Sequence, residues 1–61
     1  MNKQRRKRIA DIVDELSVIL DKEDEYRDNM PENLQGSLAY ETSEEASDHL
    51  QEAIDTLNEI D

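Results

Sequence analysis

The chain has no cysteine, tryptophan or phenylalanine, and only one glycine, one proline and one histidine in 61 residues. Each scarcity closes a class. Without thiols there is neither a disulfide framework nor a thiolate metal site. Tyr26 and Tyr40 are the only aromatics, and neither lies near the basic start, which leaves that segment without an aromatic neighbour for base stacking. No apolar run approaches the ~18 residues of a membrane span. The basic start is not followed by an apolar signal core, because Asp11, Asp14 and Glu15 interrupt it. The expectation is a cytoplasmic protein with no membrane contact and no cofactor. A chain this short buries only about 60% of its unfolded surface. That leaves too little chain to enclose a pocket of ordinary ligand size, so an enzyme is not expected.

What the chain does have is charge of one sign. Seventeen acidic residues oppose seven basic ones, for a net charge of -10. Ile, Leu and Val number 13 of 61, close to the level at which high charge predicts disorder. Folding therefore depends on where those few residues fall.

Residues 3 to 28 read as one long helix. Ile9, Ile12, Leu16 and Ile19 are spaced 3, 4 and 3, and the register continues through Glu23, Tyr26 and Met30. Val13 and Leu20 widen this stripe to a face able to meet two neighbouring helices. Pro31 stops the helix, since the residue before a proline is pushed out of helical geometry. A second helix is predicted over 43 to 60, with Thr42 as N-cap and Glu45 reaching back in a capping box. Its stripe is Ala46, Leu50, Ala53, Leu57 and Ile60, widened by Ile54. Between the helices, Pro31 and Gly36 bracket a short helical turn at 31 to 35, with Leu34, Leu38 and Tyr40 expected to tuck it over the end of the pair. The fold class is all-α: one helical hairpin over residues 1 to 61.

An 18-residue helix cannot cover the wide face of a 26-residue one. Two hairpins pairing into a four-helix bundle would cover it, and two-fold dimers are the commonest oligomer. The predicted dimer interface is Ile9, Ile12, Val13, Leu16, Ile19 and Leu20. Charge placement agrees. Lys3 to Arg8 at the start of helix 1 and Asp21 to Asp28 at its end both oppose the helix dipole. An antiparallel twin would bring the two groups together, giving orientation more than stability.

On helix 2, Glu44, Glu45, Asp48, Glu52, Asp55 and Glu59 line the outward side with no Lys or Arg among them. A solubilising face is one reading. Mimicry of nucleic-acid phosphates is the sharper one: acids three and four apart on a helix lie about 5–6 Å from each other, near the spacing of phosphates along a strand. The basic turn could contact phosphates, but the strongly negative remainder argues against direct nucleic-acid binding. Glu45, His49 and Glu52 share a helix face. The Glu-x-x-His pattern of a bundle metal site is absent, because Ala46 stands three before His49, so no metal site is assigned.

The segment Asn29-Met30-Pro31-Glu32-Asn33-Leu34-Gln35-Gly36-Ser37 is the most distinctive stretch. As a turn set on a rigid scaffold it is a second candidate contact surface, through Asn29, Glu32, Asn33 and Gln35. With the basic start and the acidic tail, this loop resembles a group of short, acidic phage and prophage proteins. The group offers no activity to carry over residue by residue. The resemblance implies a mobile-element origin, a location in the host bacterial cytoplasm, and inhibition of a host protein such as an anti-phage defence enzyme. Leu38-Ala39-Tyr40 departs from the more polar stretch expected after the loop. Taken together, the expectation is a homodimeric inhibitor that binds a host protein through Glu44, Glu45, Asp48, Glu52, Asp55 and the turn. A helical phage assembly or spacer component with no host target is the competing class. A small DNA-binding regulator acting through Lys3 to Arg8 is a third.

Overall fold

The structure is a computed structural model that describes residues 1–60, so Asp61, the final residue of the expected domain, lies outside the described residues. Two helices, α1 (Lys3–Asp28) and α2 (Leu38–Asn58), are joined by a 3-10 turn (Glu32–Leu34). The all-α hairpin predicted from the periodicity is present. α1 has the predicted bounds. Its N-cap is Asn2, whose side-chain oxygen accepts the Arg5 backbone N–H at 2.8 Å and so satisfies one of the orphan donors of the first turn. At its other end the Asn29 N–H reaches the Glu25 carbonyl at 3.0 Å, just ahead of Pro31.

α2 begins five residues earlier than the sequence suggests. Ser37, not Thr42, is the N-cap, and its Oγ accepts the Tyr40 N–H at 3.2 Å. No Gly or Pro separates Leu38 from Ser43, so once Ser37 caps the chain the helix propagates through the supposed cap. The extra turn leaves Leu38 78% exposed, and Leu34 is exposed as well. The expected tuck of Leu34 and Leu38 over the helix ends therefore does not form, while Tyr40 is half-buried. α2 closes at Asn58, so Ile60 falls outside it and is exposed.

Arg27 is bonded to Ser43 and Ser47, which fixes the helices as antiparallel neighbours. Ile9, Val13, Leu16 and Leu20 lie on the Arg27 side of α1 and are half-buried, as are Ala46, Leu50 and Leu57 on α2. Ile54 is the one buried hydrophobic residue among those described, at 7% exposure. The predicted stripe of α1 is thus split. Ile9 and Leu16 face the hairpin seam with Val13 and Leu20, whereas Ile12 and Ile19 are each 49% exposed and Tyr26 is 51% exposed.

The molecule measures 49 × 15 × 11 Å, one helix diameter thick. Its radius of gyration is 14.6 Å, against about 10.5 Å for a compact domain of this length. It exposes 4941 Å², where a folded monomer of 7.1 kDa would expose about 4,100 Å². A hairpin two helices wide has a seam but no interior.

Candidate interaction surfaces

The seam is closed at the turn end by a polar cluster rather than by aliphatic packing. Arg27 Nη1 donates to the Ser43 carbonyl at 2.8 Å, to Ser43 Oγ at 2.9 Å and to Ser47 Oγ at 2.7 Å. Its Nη2 pairs with Asp24 Oδ1 at 2.5 Å. Ser47 Oγ donates to the same Asp24 oxygen at 2.9 Å, and the Ser43 hydroxyl donates to Glu23. Both serines are buried, and among the described residues no buried side-chain nitrogen or oxygen lacks a partner. A guanidinium with several donors in a fixed fork suits this role, which a lysine could not fill. The sequence reading missed the cluster by assigning Thr42 and Ser43 to a helix start. The available signal was Ser43 and Ser47, four apart on the inner face of α2, opposite the only arginine beyond residue 8.

Outside the seam, the two flanks of the hairpin differ in chemistry. On one, α1 presents Ile12, Ile19 and Tyr26, seven residues apart. On the same side α2 presents Thr42, Ala46 and Ala53, as the 3.6-residue period requires. The two sets meet in a groove lined by Glu23, Tyr26, Leu38, Ala39, Thr42, Ser43 and Ala46. On the opposite flank, the same period places Asp14, Asp21 and Asp28 of α1 beside Glu44 and Gln51 of α2. Gln51 Nε2 donates to Asp55 Oδ1 at 2.9 Å there.

The candidate partner-binding residues Glu44, Glu45, Asp48, Glu52 and Asp55 are all exposed, as are Asn29, Glu32, Asn33 and Gln35. Glu44 and Glu45 lie at the turn end of the hairpin with the loop residues. Asp55 lies about 16 Å further along α2 at 1.5 Å per residue. The two groups are thus joined at one end and diverge along the helix. Of the candidate dimer residues, Ile12 and Ile19 stand on the open flank, and Ile9, Val13, Leu16 and Leu20 line the seam.

At the other end, Lys3 to Arg8 are all exposed. Lys7 Nζ pairs with Asp11 Oδ1 at 2.5 Å. The hydrogen bond and the charge of Asp11 together hold the Lys7 ammonium above its ordinary lysine pKa. Among the described residues the ion pairs are this one and Arg27–Asp24, so Lys3, Arg5, Arg6 and Arg8 are unpaired. No group of three His, Cys, Asp or Glu among the described residues is arranged to hold a metal ion, and none of the described helices is long and apolar enough to cross a membrane. Compared with known protein families, curated proteins and solved structures, the chain matches none.

Proposed function

We propose that this chain is a non-catalytic binding protein of phage type. In this reading two hairpins pair through the apolar flank into a four-helix bundle. The pair then presents the acidic row of α2 and the adjoining turn to a basic surface of a host protein and blocks it. The observation that carries the reading is the segregation of residues on α2. Its one side is Thr42, Ala46 and Ala53; its outer side is Glu44, Glu45, Asp48, Glu52 and Asp55 with no cation between them. A helix selected for stability alone would interleave lysines as i, i+4 partners. Unneutralised carboxylates at helical spacing repel one another, and a basic partner relieves that repulsion.

A surface of this kind fits a cleft that ordinarily holds a nucleic-acid backbone, since both present a line of closely spaced negative charge. The likeness of the 29 to 37 loop to phage proteins directs the reading to a nucleic-acid-processing enzyme of host defence, in the host cytoplasm. The test is a charge reversal, Glu44→Lys, Glu45→Lys, Asp48→Lys and Glu52→Lys together. The wild-type chain captures a nuclease, helicase or DNA-binding protein from bacterial lysate, and the complex weakens with added salt. The reversed chain stays helical by circular dichroism and loses the captured protein. Unchanged capture by the reversed chain would refute the mimicry.

A further inference from the structure

The groove at the turn end is lined on the α2 side by Leu38, Ala39 and Ala46 together with the hydroxyl residues Thr42 and Ser43, and carries Glu23 and Tyr26 on the α1 side. We infer that it is the seat for the basic first turns of α1 from a second copy, with Arg8 against Glu23 and Arg5 over the Tyr26 ring. This rests on the pairing proposed above and specifies its direction and register.

Four observations converge on it. First, the cations cannot come from the same chain. Residues 8 and 23 are 15 apart on one continuous helix, about 22 Å at 1.5 Å per residue. Second, the cations have nothing else to do: Arg5 and Arg8 are exposed and make no ion pair among the described residues. Third, the chemistry matches. An arginine stem lies along apolar surface while its head reaches a carboxylate or an aromatic face. Fourth, the area matches. The hairpin exposes 4941 Å², an excess of roughly 850 Å² over a compact monomer, and one side of a standard stable interface covers about 800 Å².

Register follows from the seven-residue spacing. Ile12 and Ile19 are the two aliphatic residues of the open α1 track. Setting Ile12 of one copy against Ile19 of another, antiparallel, creates a two-fold axis between residues 15 and 16. That alignment overlaps the full length of both α1 helices and brings residue 5 opposite 26 and residue 8 opposite 23. Setting Ile19 against Ile19 would instead carry Arg5 past the end of the opposing helix.

The experiment uses two full-length variants, Arg8→Glu and Glu23→Arg, followed by sedimentation equilibrium. Each alone places like charges together at both symmetric sites and self-associates about tenfold more weakly than the wild type. Mixed, they restore one attractive pair and keep one native pair, and the heterodimer recovers wild-type affinity. A mixture no tighter than the separate variants, in a wild-type chain that is dimeric, overturns this seat and leaves the dimer standing. A monomeric wild type overturns both. Because Glu23 also accepts the Ser43 hydroxyl, a second pair leaves it in place. Arg5→Cys and Tyr26→Cys chains, mixed and mildly oxidised, form the mixed disulfide in preference to either self-linked species. Preferential self-linking of each variant overturns the antiparallel register.

Discussion

On one flank of the hairpin α1 shows Ile12, Ile19 and Tyr26; on the other it shows Asp14, Asp21 and Asp28. Both tracks repeat every seven residues, and a seven-residue repeat drifts only about 20° per heptad on a straight helix. One helix therefore carries an apolar track and an acidic track side by side, with the seam to α2 between them. The lesson is that high charge need not scatter over a small protein. Here the acids of α2 and the Asp14, Asp21 and Asp28 track lie away from Ile12, Ile19 and Tyr26, which stay uncovered on the other flank. A seam holding Ile54 as the one buried hydrophobe among the described residues gives little reason for that apolar flank to remain in water.

The strongest way to break the comparison is to make the flanks alike. Ile12→Glu with Ile19→Glu puts carboxylates on the apolar track, and self-association should fall about a thousandfold, ~4 kcal/mol. The matched change on the other flank, Asp14→Asn with Asp21→Asn, should alter the same dissociation constant less than about threefold. Sedimentation equilibrium measures both.

Two changes sharpen the role of the seam. Ile54→Ala removes the buried aliphatic contact and should cost about 3 kcal/mol in urea unfolding. Arg27→Ala leaves two buried serine hydroxyls and the Asp24 carboxylate without their shared donor, and should cost about 2 kcal/mol. Arg27→Lys should recover only part of that loss, because an ammonium cannot reproduce the fork.

The smallest effect separates the two possible starts of α2. Ser37→Ala should cost about 1 kcal/mol, and Thr42→Ala should stay within about 0.5 kcal/mol. Paired urea titrations of these variants distinguish a cap at 37 from one at 42.

Much of this architecture was legible in the sequence. The bounds of α1 follow from unbroken periodicity up to Pro31, and the turn follows from Pro31 and Gly36. The start of α2 was misplaced because two plausible caps, Ser37 and Thr42, compete within five residues, and a capping box is a local pattern with no knowledge of the helix already under way. The division of the α1 stripe was not legible either. Ile12 and Val13 are both apolar and adjacent, and periodicity alone gives no preference for which one meets α2. The polar cluster decides it: Arg27 turns its side of α1 toward Ser43 and Ser47, which brings Val13 and Leu20 inward and leaves Ile12 and Ile19 out. Of the candidate partner surface, the row of acids on α2 was readable from composition and spacing. The groove beside Tyr26 was not, because it joins residues 23 to 46 across a helix start that the sequence placed elsewhere.

The claim beneath all of this is that the apolar flank is an interface awaiting a second copy. Sedimentation equilibrium of the unmodified chain at micromolar concentration tests it directly. The account predicts a species of twice 7.1 kDa that dissociates on dilution. A single species of 7.1 kDa at every concentration would contradict it.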